Sequence, residues 1–330
     1  MDIYDAADNG DLERVRLLVE QGTDKDEGDS NGWTPLICAS CHGHLEVTQY
    51  LVKLGATLDK VNNDGATSLI VAASNGHLEV VRYLVEQGAD MNKANNAGWT
   101  PLISATQHGH MEVMRCLVEH GVTLDKANNE GWTPLHWACG KGYVEAAQFL
   151  VEHGATLDKA NIHGATPLRI AAGDDERLEV TRYLLEQGAD RDKADSTGWT
   201  ALHSAVNENS LESVKLLMSY GADLNARDVD CGLPIDVADN EEIKQAIRDE
   251  PRRRMDHGHK RATEQDRHPN AAASASAQQE DEEADEGKEE EQSNKRPRLD
   301  EGAIALAEEE ETKVAEEDED SEPSSDEEDD

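Results

Sequence analysis

The chain has 330 residues, of which 71 are acidic and 31 are basic, and its formal net charge at pH 7 is −40. A surface this acidic repels nucleic-acid phosphates, so direct nucleic-acid binding is not expected, and proteins with a basic surface are the better-matched partners. Five scattered cysteines, an odd number, indicate a reducing compartment rather than a disulfide framework.

The N-terminus shows no targeting signal. It begins MDIYDAADNGDLERV, without a basic region or an apolar run, so no secretory leader is predicted. No stretch reaches the roughly 20 apolar residues that a membrane-spanning helix needs. We therefore expect an intracellular protein that makes no membrane contact.

Residues 1–30 predict a short helical unit. The segment AADNGDLERVRLLVEQG, from Ala6 to Gly22, has apolar residues at helical spacing between polar ones. It is similar to the helical part of the units that follow it but lacks their preceding turn. We predict that it caps the N-terminal end of an array.

The stretch CASCH, residues 38–42, has the spacing of three kinds of site. C-x-x-C-H is typical of c-type haem attachment, and C-x-x-C occurs in redox dithiols and in half of a zinc site. Haem attachment would require export, and the neighbouring units offer no second ligand pair for zinc. We predict that Cys38 and Cys41 pack within a helix, with a redox-sensitive dithiol as the alternative, and that the protein has no metal and no cofactor.

Residues 31–229 contain six units with a period of about 33 residues. The phrase NGWTPL at Asn31 returns as DGATSL, AGWTPL, EGWTPLH, HGATPL and TGWTALH, and HLEVTQYLVKLGATLD from His44 returns with the same period. This pattern resembles the ankyrin repeat, whose hallmark is T-P-L-H-x-A. The resemblance implies two helices and a β-hairpin finger in each unit, and protein binding by the concave face and the hairpin tips. We number the N-terminal cap repeat 1 and the six units repeats 2–7.

Within each unit the residues favour the same structure. Thr34 suits a helix N-cap, Pro35 suits the first helical position, and Gly55 suits a left-handed helix end. One helix pair cannot bury its own apolar face, so the units must stack. We predict an all-α repeat solenoid of stacked helix-turn-helix units with β-hairpin fingers.

Repeats 6 and 7 depart from this pattern. Repeat 6 has AAGDDERLEV from Ala171, which is one residue longer than the AASNGHLEV of repeat 3 and lacks its Gly-His turn. Repeat 7 has Ala201 in place of proline and Asn209 in place of the turn glycine. We expect the array to open first between Ala171 and Asn209, because the stability of a repeat array is nearly a sum over its units.

Tryptophans are the main candidates for partner binding. Four of the five follow the finger glycine, namely Trp33, Trp99, Trp132 and Trp199, and the fifth, Trp137, lies in the first helix of repeat 5. They either pack on neighbouring fingers or bind a partner, since tryptophan is enriched at interface hot spots. All five are candidate partner-binding residues, and Trp99, Trp132 and Trp137 form the best candidate patch.

Lysines and histidines also recur once per unit. A lysine stands near the start of each finger, and an aspartate precedes five of these lysines, so we expect local neutralisation, with a basic binding stripe as the alternative. These lysines are Lys25, Lys60, Lys93, Lys126, Lys159 and Lys193. His44, His77 and His110 recur at the start of the second helix, where we expect local backbone hydrogen bonds rather than metal binding.

The helical pattern ends near residue 250. Residues 230–250 predict a shortened C-terminal cap, which we number repeat 8, and residues 251–279 predict a polar linker. Residues 280–330 predict a disordered acidic tail, because about 26 acidic residues and 5 basic ones leave little to bury.

Two short motifs lie in the tail. Lys295, Arg296 and Arg298, in NKRPR, resemble a monopartite nuclear import signal. Ser324 and Ser325 each precede a glutamate by three residues and resemble sites of an acidophilic kinase, so phosphorylation would add negative charge.

The sequence contains no motif for catalysis. It has no G-x-S-x-G, P-loop, kinase signature or H-E-x-x-H, so we predict that the protein is not an enzyme. We predict a monomeric adaptor, scaffold or regulatory inhibitor of the nucleus and cytoplasm that binds a protein partner. The alternative is a nuclear histone-binding or chaperone-like protein that acts through its acidic tail.

Overall fold

The computed structural model describes residues 2–250, and the predictions for the linker, tail, import signal and phosphorylation sites lie outside these residues. The described chain is a stack of helix pairs. We call the first helix of each pair the inner helix, the second the outer helix, and the loop that leads to the next pair a finger.

The helix bounds follow the predicted units. The inner helices are α1 (Ile3–Asp8), α3 (Pro35–Cys41), α5 (Ser68–Ser74), α7 (Pro101–Gln107), α9 (Pro134–Gly140), α11 (Pro167–Ala172) and α13 (Ala201–Asn207). The outer helices are α2 (Leu12–Glu20), α4 (Leu45–Lys53), α6 (Leu78–Glu86), α8 (Met111–Glu119), α10 (Val144–Glu152), α12 (Leu178–Glu186) and α14 (Leu211–Ser219). Two 3₁₀ turns (Asp175–Arg177 and Pro234–Val237) and a helix over residues 241–250 complete the described part. The predicted helical repeat architecture is confirmed.

Local sequence sets where these helices begin and end. The Thr34 hydroxyl accepts the backbone N–H of Ile37, and Pro35 occupies the first turn, as predicted. The same threonine cap recurs in the next four units, at Thr67, Thr100, Thr133 and Thr166. Gly55, which follows α4, has a φ of +79°, the left-handed value that favours glycine.

Stacking makes one continuous hydrophobic core. A leucine in the last turn of each outer helix from repeat 2 to repeat 7 is completely buried, and the alanines of the inner helices let neighbouring helices approach closely. These leucines are Leu51, Leu84, Leu117, Leu150, Leu184 and Leu217. Because these leucines belong to one cluster that runs through the array, each unit depends on its neighbours for its core.

The fingers are turns held by side chains rather than two-stranded ladders. Within residues 2–250 the β pairing consists of one isolated antiparallel bridge, between Val61 and Thr67. In the finger of repeat 4, the Asn95 side-chain oxygen accepts the backbone N–H groups of Ala97 and Trp99 at 3.0 and 2.8 Å. The same geometry recurs at Asp29, Asn62, Asn128, Asn161, Asp195 and Asp228. The predicted hairpins therefore take the form of Asx-braced turns, because the side chain occupies N–H groups that a ladder would use.

The recurring histidines join one repeat to the one before it. The Nε2 atom of His77 donates to the carbonyl of Cys41 at 2.7 Å, and its ring lies against Gly43, where an added Cβ would be 2.6 Å from Nδ1. His44 and His110 make the same bond, to Asp8 and Ser74. The predicted backbone hydrogen bonds exist, but they span 36 residues and are not local.

Repeat 6 compensates for its irregular turn through a contact with repeat 7. The 3₁₀ turn places the Asp175 carboxylate at the N-terminus of α14, where it accepts the backbone N–H groups of Glu212 and Ser213 at 3.2 and 2.9 Å. Asn209 adopts a φ of +59° in place of the usual glycine. The earlier opening of this region stays a prediction, and the structure shows which contacts oppose it.

We expect Asp175→Ala to lower the free energy of unfolding by about 1 kcal/mol, because it removes an N-cap of α14. The measurement is urea denaturation of the full-length protein followed by circular dichroism. Glu176→Ala is the matched control, since it removes an exposed carboxylate from the same turn without removing the cap. Equal stabilities of the two variants would show that the contact adds nothing.

Candidate functional site

Three of the five candidate tryptophans form one cluster. Trp137 of α9 lies between Trp99 and Trp132, with ring centroids 4.9 and 5.0 Å away. Trp132 and Trp137 are each only 2% exposed, whereas Trp99 is half-buried. These spacings suit favourable tilted aromatic pairs, so the cluster packs repeat 4 on repeat 5. Only Trp99 presents part of its indole to a partner.

The cluster contains a polar atom without a hydrogen bond. The indole N–H of Trp137 is buried, and the described residues offer it no acceptor. By contrast, the indole N–H of Trp199 donates to the Asp228 carboxylate at 3.3 Å. An unsatisfied buried donor costs about 1–3 kcal/mol, which offsets part of the stability that the packing of Trp137 provides.

The remaining tryptophans lie apart from this cluster. Trp33 and Trp199 are half-buried in the fingers of repeats 2 and 7. Their backbone N–H groups are held by the finger carboxylates of Asp29 and Asp195 at 2.7 and 2.9 Å. The structure therefore divides the candidate row into one central cluster and two outlying indoles.

The lysine row has a structural role. The ammonium group of Lys93 donates to the backbone carbonyl of Asp59, in the preceding finger. Lys60, Lys126, Lys159 and Lys193 make the same contact, to Asp26, Asn92, Asp125 and Asp158. Neutralisation by the adjacent aspartate was expected, whereas these five lysines donate to a backbone carbonyl of the repeat before. The alternative hypothesis of a basic binding stripe is less well supported, because these ammonium groups already donate hydrogen bonds within the array.

The cysteines of CASCH lie in α3. Cys38 is buried, and burial raises the pKa of its thiol to about 12, so it carries no thiolate at neutral pH. Cys41 is half-buried and its sulfur accepts the side-chain amide of Asn75 at 3.5 Å. None of the five cysteines forms a disulfide, and among residues 2–250 no group of three His, Cys, Asp or Glu side chains is placed to hold a metal ion.

A buried ion pair links repeats 6 and 7. The Arg169 guanidinium in α11 lies 3.5 Å from the Asp195 carboxylate of the next finger and donates to the Ser204 hydroxyl at 2.8 Å. The two charged side chains are only 5% and 4% exposed. In repeat 5 the equivalent positions hold His136 and Asn161, so a charged pair in repeat 6 stands where repeat 5 has a neutral one.

His136 is a completely buried histidine of the T-P-L-H phrase. Its Nδ1 atom accepts the backbone N–H of Thr133 at 3.1 Å, and its Nε2 atom donates to the Ala165 carbonyl at 3.2 Å. Burial lowers the pKa of this imidazole to about 4, so it is neutral at physiological pH. Its contacts are all within the array, which makes it a structural residue.

Two exposed apolar residues at the finger tips were missed in the sequence analysis. Ile162 and Val229 are 62% and 61% exposed, more than any other large apolar side chain in residues 2–250. They could have been found by aligning the units with one another, because the other fingers have a polar residue at this position. These residues are Asn63, Asn96, Asn129 and Ser196.

The family follows from these repeats. A sequence model described as "Ankyrin repeats (3 copies)" matches residues 3–95, 87–161 and 157–228, well over half of the chain. The chain belongs to the ankyrin-repeat family. Ankyrin repeats generally mediate protein–protein interaction and are typically non-catalytic modules.

A solved ankyrin structure has the same fold. The crystal structure of the human ASB11 ankyrin repeat domain matches with a TM-score of 0.60 and 28% sequence identity, over 66% of this chain and 98% of that chain. No curated protein matches the chain. None of the helices in residues 2–250 is both long enough and apolar enough to cross a membrane.

Proposed function

We propose that the protein is a non-catalytic adaptor, scaffold or regulatory inhibitor whose ankyrin array binds a protein partner on the face formed by its inner helices and fingers. The observation that carries this proposal is the buried indole N–H of Trp137, which lacks an acceptor among the described residues. A carbonyl oxygen of a bound chain would satisfy it. Trp99, whose half-buried indole packs against Trp137, is the part of the cluster that a partner can contact.

Charge supports a partner with a basic surface. Residues 1–250 contain 42 acidic and 20 basic side chains, so the array is strongly acidic even without the tail. Such a field speeds the approach of a basic protein and repels nucleic acid. We accordingly propose a monomer that binds protein and has no direct contact with nucleic acid or membranes.

We expect Trp99→Ala to abolish or strongly reduce capture of the partner, because tryptophans at the centre of an interface carry much of its binding energy. The measurement is affinity purification of the tagged full-length protein from cell extract, with co-purified proteins quantified by mass spectrometry. Trp33→Ala is the matched control, since it removes a half-buried indole from the same finger position two repeats away. If both variants keep every partner, the tryptophan cluster is a packing element and the proposed site is wrong.

A second candidate function rests on the composition of the tail. Residues 280–330 carry about 26 acidic and 5 basic side chains, enough to bind basic proteins such as histones without help from the array. Deleting residues 280–330 distinguishes the two functions. An adaptor keeps its partner after the deletion, whereas a histone-binding or chaperone-like protein loses it.

We also propose that the protein enters the nucleus through NKRPR and is present in both nucleus and cytoplasm. Changing Lys295, Arg296 and Arg298 together to alanine should lower the nuclear fraction of a tagged protein, measured by imaging. An unchanged fraction would remove the import assignment.

Phosphorylation of Ser324 and Ser325 would make the tail more acidic, and mass spectrometry of the isolated protein tests whether these serines are phosphorylated.

A further inference from the structure

The tips of the fingers form a hydrogen-bonded row. The backbone N–H of Asn96 donates to the Asp64 carbonyl at 2.8 Å, and the equivalent bond joins every neighbouring pair of fingers from repeat 2 to repeat 8. The side chains reinforce this row, because Asn96 and Asn129 each donate a second bond to the preceding finger at 2.9 and 2.8 Å. The row is therefore a rigid surface fixed before any partner arrives.

Two aliphatic residues interrupt the reinforcement. Ile162 keeps the backbone bond, to the Glu130 carbonyl at 3.1 Å, but has no side-chain donor to reach the preceding finger. Val229 is in the same situation, with a backbone bond to Thr197 at 2.9 Å. Each places an apolar side chain in water and gives up a cross-finger hydrogen bond, so neither residue serves the stability of the array.

The spacing of these two residues defines what could bind them. They occupy the same position two fingers apart, and helices of neighbouring units pack about 10 Å apart, which separates the two side chains by about 20 Å. An extended chain covers that distance in about six residues, at roughly 3.3 Å per residue. Residues six apart in an extended chain point to the same side, so one strand can place an apolar side chain on each.

The charges beside these residues favour a basic peptide. Two exposed acidic residues accompany them. Glu130 accepts the backbone N–H of Ile162 through its backbone carbonyl, and Asp230 follows Val229 in the chain. The array as a whole is also acidic, with 42 acidic and 20 basic side chains in residues 1–250. Lysine or arginine side chains flanking the two apolar residues of a partner would meet these carboxylates.

We propose that the tips of the last fingers bind an extended basic segment of a protein partner, with two aliphatic side chains six residues apart seated on Ile162 and Val229. This inference rests on the proposed function of the array and adds the chemistry of its partner. It also places the contact at the C-terminal fingers, away from the tryptophan cluster.

The test uses the full-length protein and two synthetic peptides of identical composition. One is an eleven-residue chain of lysine and threonine with leucines at its third and ninth positions, and the other has leucines at its third and sixth. Fluorescence anisotropy should show about tenfold tighter binding of the first peptide, the gain from seating one further aliphatic side chain. Because both peptides carry the same charge, attraction to the acidic tail affects them equally.

Substitution of the tip residues provides the second measurement. Ile162→Asn and Val229→Asn should each weaken binding of the first peptide by about tenfold. They should affect the second peptide less, because the spacing of its leucines does not match the two residues in any of these proteins. Ile162→Asn should also raise the urea midpoint of unfolding, because it restores a side-chain donor to the Asn129 carbonyl. Opposite signs of the effects on binding and stability are the signature of a residue kept for binding.

Two binding results would overturn the inference, and so would a loss of stability in Ile162→Asn. One is equal affinity for the two peptides, and the other is a first-peptide affinity that neither substitution changes. If the cellular partner is lost in Trp99→Ala but retained in Ile162→Asn and Val229→Asn, the array remains the binding module and only the tip site is wrong. A destabilised Ile162→Asn would likewise identify Ile162 as a structural residue.

Discussion

Asp195→Asn should lower the free energy of unfolding by about 3 kcal/mol, because it leaves the buried Arg169 guanidinium without its carboxylate. The substitution keeps the shape of the side chain. It also keeps the oxygen that accepts the N–H groups of Thr197 and Trp199 at 2.7 and 2.9 Å. The loss of unfolding free energy therefore measures the removal of the carboxylate charge and not a disruption of the turn.

The chain contains its own control for this substitution. Asp29 holds the finger of repeat 2 through the same pair of backbone N–H groups, and the described residues give it no ion pair. Asp29→Asn should therefore cost less than about 0.5 kcal/mol, the usual range for a surface substitution that breaks no special contact. A cost equal to that of Asp195→Asn would mean that the carboxylate acts only through the turn.

A second substitution should rescue the first. Arg169→His with Asp195→Asn recreates the pair found one repeat earlier, where His136 stands beside a finger braced by Asn161. The double variant should regain most of the lost stability, measured by urea denaturation and by hydrogen exchange of residues 166–207. A double variant no more stable than Asp195→Asn would show that a histidine and an asparagine cannot replace Arg169 and Asp195 at this position.

Much of the fold could be predicted because its determinants are local. The cap at the start of an inner helix, such as Thr34 with Pro35, and the glycine that follows each outer helix act within one turn of the chain, so a single unit reveals them. Repetition then identifies the stacking, since the same apolar positions return in every unit. Fold class and family are confirmed on these grounds.

The contacts between repeats could not be predicted from a single unit. His77, Lys93 and Asp175 each bond to a residue 34 to 38 positions away, and nothing in their immediate sequence names that partner. Local reasoning placed the lysines beside the aspartates next to them, and only the structure shows that five of them also donate to a backbone carbonyl one period away. Side-chain partners in a solenoid lie one period away, so they must be sought by comparing units.

The candidate site was predicted in position but not in accessibility. The sequence placed five tryptophans on the fingers and on one inner helix, but two of the five are buried and only the packing of repeat 4 on repeat 5 decides this. Ile162 was missed because a lone isoleucine looks ordinary until its unit is aligned with the others. Its exposure, not its residue type, makes it a candidate.

Acid should destabilise the array through His136. Burial lowers the pKa of this imidazole to about 4 in the folded protein, against about 6.5 in the unfolded chain. Between these values the unfolded state binds the extra proton, so the contribution of His136 is complete above pH 6.5 and is lost as pH falls towards 4. From pH 7.5 to pH 5.0 this one group should remove about 2 kcal/mol. Burial lowers the pKa of His203 in the same direction, so the whole array should lose more.

The array supplies a substitution that isolates this effect. Isoleucine occupies the position of His136 in repeats 2, 3 and 4, as Ile37, Ile70 and Ile103, so His136→Ile should fold while losing the titrating group. Its free energy of unfolding should fall by about 2 kcal/mol less than that of the wild type between pH 7.5 and pH 5.0. His163→Gln, which removes an exposed imidazole from the next finger, is the matched control. Protonation of carboxylates relieves the repulsion of a chain with a net charge of −40 and acts in the opposite direction, but it acts alike on all three proteins, so the difference between them isolates His136. Parallel pH profiles of the wild type and His136→Ile would show that this buried histidine does not couple folding to pH.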